Sequence, residues 1–496
     1  MPAIVRPCRA WFPGWSVSRG VAPGCRITPR CGWWSAATRA LVALFACSAV
    51  FASESPAWQA GVARRAITPQ VPLWMTGYAV RDRPAEGKGQ ELWAKALALQ
   101  DASGRRGVLI TVDLCGVTRP MTDRVAAELE KRFSLPRAAV MVNASHTHCG
   151  PALDGWAPGM RVATAEQESA TAGYTRDVTV AMIEVAAEAL GALRPARLGA
   201  SHGFATFGIN RRKKAEKDVP ARRAAGTLQG PVDYDVPVLA VRDAEGRVVA
   251  LLVSYACHAT TLDIYQWHGD YPGSAVAELE RRHAGATALF VAGCGANINP
   301  SPRLSLALAE AHGRALADAV DVALHGVQQP ISGGLAVAMG DVALRFSKAP
   351  TAEEIRAAAD DTVKPSVQKQ MNQAWAKAMQ AEVAGGGVRL EYPYPVQAWR
   401  VGELTWVALG GEVVVDYALR LRSEAAKQGR DGRDVWVFGY SNDVMCYIPS
   451  ESVLAEGGYE GKTSMVPYGR PSAWEAGLEE KIVRKVWDVV READAK

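Results

Sequence analysis

No two of the nine cysteines stand in a C-x-x-C spacing, which removes a thiolate zinc site from the chemistry open to this chain. Four of them (Cys8, Cys25, Cys31, Cys47) fall within the first 52 residues. The odd and scattered remainder, Cys115, Cys149, Cys257, Cys294 and Cys446, does not make a disulfide framework. Acidic residues are missing from residues 1–52, which carry six arginines, whereas the rest of the chain balances 50 basic against 51 acidic side chains. The formal charge of +5 therefore belongs to the leading segment, and the body lacks the basic excess that nucleic-acid binding needs. No apolar run reaches the roughly 18 residues of a membrane span. Sequence repeats are absent, as are Gly- or Pro-rich linkers that would divide residues 53–496.

What the leading segment does have is Arg39 followed by "ALVALFACSAVFA" and then the polar "SESPA". A basic residue, an apolar stretch of about a dozen and small residues at its end form an export signal. Cleavage is expected after Ala52, delivering a secreted or periplasmic protein. Lipid anchoring through Cys47 is the alternative, though Phe45 fits that pattern poorly.

Beyond it, strand-like and helix-like stretches alternate. "RRGVLITVDL" precedes the amphipathic "MTDRVAAELEKRF", then "AAVMVNAS" and a helical stretch from Ala165 to Leu193. "VVALLVSYA", "GSAVAELERRH", "ATALFVAG" and "LALAEAHGRALADAVDVAL" repeat the pattern. This alternation predicts an α/β fold, a mixed sheet with packed helices. After Gly333, strands are expected on either side of a helical insert from Thr351 to about Ala384, with closing helices near Val413–Lys427 and Trp474–Glu492. Ligands in such folds gather where loops leave the carboxyl ends of strands.

Histidine is scarce, eight in all, and three of the eight sit at such places. "NASHTHCGP" ends an apolar run with His146 and His148, which an extended backbone would put on one face, as metal ligands or as a ligand and its acid–base partner. "SYACHATTL" ends another with His258, ahead of "HGDYPG" with His268 and Asp270. "VALGGEVVVDY" places Glu412 after two glycines at a helix start, where the dipole favours a carboxylate in any case. "SNDVMCYIPSESVLAEGGYEG" offers Tyr447 and Tyr459, and "VAGCGANINPSP" presents Asn297 and Asn299 from a Gly-rich turn. Each piece alone is compatible with ordinary packing.

Together and in this order, with "ITPQVPLWMTGYA" and "GINRR", they resemble the neutral ceramidase family of zinc-dependent N-acylsphingosine amidohydrolases, from about Ala60 to Met465. The SHTH-x-GP element is the most specific piece. The resemblance implies a neutral-ceramidase-like catalytic domain over residues 53–496, a role in sphingolipid metabolism, and Zn2+ held by His146, His258, Glu412 and Tyr447. It implies further that Tyr459 and Arg211 belong to the active site and that His148 serves as an acid–base neighbour.

Three departures stand out. Asn299 occupies the place of the family's nucleophilic serine, and an amide is no such nucleophile. Val444 replaces a tyrosine of the "SN" turn, and the family's C-terminal immunoglobulin-like domain is not expected within these residues. The sequence therefore points to a zinc hydrolase of amide or related acyl bonds, with metal-activated water in place of the serine and Asn299 orienting water or substrate. A small-molecule or lipid substrate is implied, ceramide-like in kind, with peripheral membrane contact open to it. Two alternatives remain: a metal-dependent lyase or hydrolase of uronate carbohydrates, suggested by the basic run Arg211–Arg223, and a non-catalytic binding member of the family.

Overall fold

The computed structural model describes residues 58–212, 215–362 and 366–496. The expected cleavage point at Ala52, and Cys47, lie outside the described residues.

Eight strands form the main path of a nine-stranded mixed sheet: β1 (Trp58–Ala66), β2 (Trp93–Asp101), β3 (Arg106–Val112), β4 (Val140–Ala144), β5 (Arg194–Phe204), β6 (Asp235–Arg242), β7 (Val248–Tyr255) and β8 (Thr287–Ala292). Their spatial order is β8-β7-β6-β5-β1-β2-β3-β4, with Gln329–Ile331 pairing beside β5. The β3–β4 and β7–β8 pairs are parallel, and every other neighbouring pair is antiparallel. This is the expected α/β fold with a mixed sheet and packed helices.

The order hides a duplication that the sequence does not display. Three antiparallel strands, a helix, a parallel strand and a second helix occur twice. The first set is β1–β4 with α1 (Arg119–Phe133) and α2 (Ala165–Gly191); the second is β5–β8 with α3 (Asp270–Arg282) and α4 (Leu306–His325). Burial constrains both halves only to "small or apolar", so equivalent positions need not share residues. The sheet twists and coils, and the carboxyl ends of both parallel pairs meet. There the Ala292 N–H of β8 donates to Asn143 Oδ1 of β4 at 2.8 Å.

Side-chain size sets the layers. In β2, Ala94, Ala96 and Ala98 face α2 and let its Val178, Met182 and Ala186 pack close, while Leu97 and Leu99 face the opposite layer. A Thr164–Gln167 capping box starts α2. The opposite layer is a four-stranded sheet, β9 (Leu335–Arg345), β10 (Glu391–Val401), β11 (Leu404–Leu409) and β12 (Val435–Phe438). Its Trp399, Trp406 and Trp436 stack in a row at 6.0 and 5.9 Å against the leucines. Each buried leucine contributes about 1.5–3 kcal/mol.

The insert between β9 and β10 is helical as expected and comprises α5 (Ala352–Ala359) and α6 (Ser366–Ala384). The closing helices are α7 (Asp416–Lys427) and α8 (Leu478–Asp494). Among the described residues, no helix is long and apolar enough to cross a membrane.

Candidate metal centre and its surroundings

The loops leaving β3, β4, β7 and β8 meet where the sheet edges converge. Strand β4 stops at Ala144, and His146 adopts a left-handed backbone conformation, φ 61°. The two histidines of "SHTH" are therefore not side by side on an extended strand. A turn brings them together, with His148 Nε2 lying 3.2 Å from His146 Nε2. His258 follows β7 and is completely buried. Glu412 and Tyr447 come from elsewhere in the chain, as partners in a two-residue parallel ladder, Glu412–Val413 with Tyr447–Ile448. Gly411, at φ 77°, makes the approach possible, because a Cβ there would lie 2.7 Å from the Cys446 carbonyl oxygen.

Both imidazoles donate Nδ1–H to a backbone carbonyl, His146 to Cys115 O at 2.5 Å and His258 to Gly295 O at 2.9 Å. That fixes the tautomer and leaves each Nε2 lone pair facing Glu412 Oε2, at 3.1 and 3.2 Å. Glu412 Oε2 is buried and has no hydrogen-bond partner. The Tyr447 hydroxyl lies 3.2 Å from His258 Nε2 and completes the rim. Electron-rich atoms this close require a cation or a proton among them. Ligands held about 2.0–2.1 Å from a small tetrahedral cation lie roughly 3.3 Å apart, so the spacing fits a metal. A second group able to hold an ion, Cys115 with His146 and His148, overlaps the first. In it, His146 Nδ1 is already committed to a carbonyl, and burial pushes the Cys115 thiol up.

Charge follows the same logic. Burial opposes a proton on His146, but the Cys115 sulfur and the Glu412 carboxylate outweigh it and push the pKa up to about 10. Burial and then Arg211 bring His258 down to about 4. His148 lies well below its ordinary value through burial and the two neighbouring imidazoles. Burial by itself would raise Glu412, yet His146 and His258 hold it well below the carboxylate range. Without a metal, one proton therefore sits between His146 and Glu412, and a cation entering displaces it.

Arg211 links the centre to the cavity beside it. Its guanidinium donates to Tyr447 OH at 3.0 Å, to Asn299 Oδ1 at 3.1 Å and to Glu460 Oε1 at 2.7 Å. Tyr459 packs edge-on against Tyr447, ring centroids 5.2 Å apart. Asn299 lies on Ile298–Pro300, paired with Gly208–Asn210, the strand leading into Arg211. His268 and Asp270 stand apart: Asp270 accepts from the Thr261 and Leu262 N–H groups and organises the loop after His258.

Residues 58–314 match the family model for the N-terminal part of neutral/alkaline non-lysosomal ceramidase. The chain belongs to that family. It is 28% identical over 221 residues to a neutral ceramidase of Oryza sativa subsp. japonica, a match covering 43% of this chain and 27% of the rice protein. The chain thus matches about a quarter of that relative's length. A solved ceramidase complexed with C2 superposes with a TM-score of 0.68 at 18% identity, over 88% of this chain and 76% of the other. The crystal structure of neutral ceramidase from Pseudomonas aeruginosa gives 0.67 at 20% identity, over 88% and 75%. At these identities the likeness is one of fold.

The structure also gives roles to residues that the sequence motifs did not single out. Tyr468 donates a short hydrogen bond to Glu412 Oε1, so only Oε2 remains free. The Tyr440 ring packs tilted against His146, with centroids 4.3 Å apart. Gly77, at φ 111°, leaves room for His148, whose Cγ would lie 2.3 Å from a Cβ at residue 77. Tyrosines and glycines far apart in the chain carry no spacing signal, and only packing identifies them. Within the basic run Arg211–Arg223, Arg212 pairs with Glu460 and Glu456, and Arg223 donates to Ser301 O.

Proposed function

We propose that the protein is a zinc-dependent hydrolase of amide or related acyl bonds in lipid-like substrates, ceramide-like compounds among them. The observation that supports this most is the buried cluster in which His146 Nε2 and His258 Nε2 lie 3.1 and 3.2 Å from Glu412 Oε2. Imidazole, carboxylate and phenol donors at this spacing suit zinc better than magnesium, which prefers octahedral oxygen ligands. When bound, zinc would polarise the scissile carbonyl and lower the pKa of water towards ~7.

The chain's own residues divide the remaining work. His146, His258, Glu412 and Tyr447 hold the ion. His148, kept neutral by burial, is ready to accept a proton and return it to the departing amine. Arg211 stays cationic because Tyr447 and Glu460 outweigh the effect of burial, and with Tyr459 it stabilises the developing oxyanion. Asn299 is held by Arg211 and orients water or substrate in place of a nucleophile.

The test is metal content of the purified protein together with N-acylsphingosine turnover before and after chelation. About one zinc per chain and chelator-sensitive fatty acid release are expected. A metal-loaded protein that cleaves no acyl compound would instead fit a binding protein, and a UV-absorbing unsaturated product from uronate polymers would identify a lyase.

A further inference from the structure

Two cavities meet at Tyr459, which lines both. The smaller, about 580 Å3, is bordered by Arg211, Arg212, Glu216, Glu456, Glu460 and Asn299. The larger, about 1180 Å3, takes its walls from α5, α6 and the segment after Tyr459, including Met371, Trp375, Met465 and Val466. Neither is lined by a candidate metal ligand, but each borders a residue that touches the centre. The smaller does so through Arg211, and the larger through Gly77 and Tyr78, whose ring lies 4.7 Å from that of His148.

The walls differ in chemistry. Among the described residues lining the smaller cavity every charged side chain is paired: Arg211 with Glu460 at 2.7 Å, Arg212 with Glu460 at 2.6 Å and Glu456 at 3.0 Å, and Glu216 with Arg303 at 2.6 Å. A uronate or phosphate would need an unpaired cation, and a hydrocarbon chain would dehydrate these ion pairs without compensation. A neutral group rich in hydroxyls makes hydrogen bonds to both signs of charge. The larger cavity exceeds the roughly 300–1,000 Å3 of ordinary small-molecule pockets, and its methionines adapt to flexible chains, although Lys348, Glu354, Asp361, Lys462 and Arg470 also border it.

We propose that the substrate is an amphiphilic amide joining a long acyl chain to a neutral, polyhydroxylated amine such as an amino sugar. The chain lies in the α5–α6 cavity, the hydroxylated amine lies among the paired arginines and glutamates, and the amide lies beside Tyr459. This rests on the hydrolase reading and specifies its substrate. Water adds to the amide carbon and the C–N bond breaks. The fatty acid keeps the water oxygen, and the released amine takes the proton.

The zinc-loaded protein is assayed with N-dodecanoylglucosamine, N-acetylglucosamine and N-dodecanoylsphingosine. The first is expected to exceed each of the others at least tenfold in kcat/KM. Ala358→Trp, which fills part of the larger cavity, shifts the preferred acyl length downward. Glu456→Ala lowers turnover of the amino-sugar amide about tenfold while N-dodecanoylethylamine changes less than twofold. Preference for the two-chain sphingosine amide, or an unaltered chain-length profile in Ala358→Trp, overturns the proposal and leaves the hydrolase reading intact. Failure of the metal-loaded protein to cleave any amide overturns both.

Discussion

Glu412 and Tyr447 are joined by the backbone before their side chains meet anything, because they are register partners in a two-residue parallel ladder. The Glu412 N–H also donates to Cys446 O at 2.9 Å. Carboxylate and phenol are thereby presented as one unit to the histidines that arrive from the large sheet. A rigid backbone link of this kind is what a site with defined ligand spacing requires.

Removing a ligand is therefore expected to abolish metal binding. His146→Ala and His258→Ala should each reduce zinc from near one per chain to less than about 0.1, while Asn299→Ala retains it, because Asn299 contacts Arg211 and not the acceptor cluster. Elemental analysis after dialysis checks this, and stoichiometric zinc in both histidine variants would sink the assignment.

Tyr468→Phe removes the hydrogen bond that occupies Glu412 Oε1. With both carboxylate oxygens free to rotate towards the ion, affinity should weaken by about 10–100-fold. A cobalt-substituted sample should show an altered visible spectrum, because coordination geometry changes along with affinity. An unchanged spectrum and affinity would mean that Tyr468 merely packs against Trp156.

Gly77→Ala should separate metal binding from proton transfer. The new methyl group collides with the His148 ring, and φ 111° adds backbone strain. Displacing an acid–base group is expected to lower kcat about a hundredfold with zinc retained. Loss of zinc together with activity would show that the damage spreads to the ligands.

His268 provides a pH test away from the metal. Burial, only partly offset by Glu310, brings its pKa down to about 4 from the ordinary 6.5. The folded state therefore resists protonation. The corresponding stability is fully present above pH 6.5 and is lost as pH falls from there through 4, about 3 kcal/mol in all. Asp270, raised to about 6 by burial, runs the opposite way: the cost of its charge, present above pH 6, is relieved as pH falls. His268→Asn keeps an acceptor for the Asp270 N–H, which His268 Nδ1 now receives at 2.9 Å. Relative to wild type the variant should gain about 3 kcal/mol between pH 7.5 and pH 4, measured by urea unfolding. A constant difference across that range would refute the buried neutral imidazole.

Much of this molecule was legible from one dimension. Apolar runs of strand length next to amphipathic helices specify α/β layering, because each element must bury its own face. His146, His258, Glu412 and Asn299 were legible as candidates because each ends an apolar stretch, where side chains emerge into loops. The insert was legible as helical, but its division into α5 and α6 was not, since local pattern does not encode which helices pack on one another.

The chain by itself determined which residue types stand at strand ends and how the layers are composed, since both follow from local periodicity and side-chain volume. Only the tertiary structure decided that the two sheet edges meet, that Tyr468 and Gly77 serve Glu412 and His148, and that Arg211 and Arg212 pair with Glu460. These contacts link residues from 56 to 249 positions apart. No local spacing records them, because the accumulated twist of the sheet and the close packing of its loops bring such distant groups into reach.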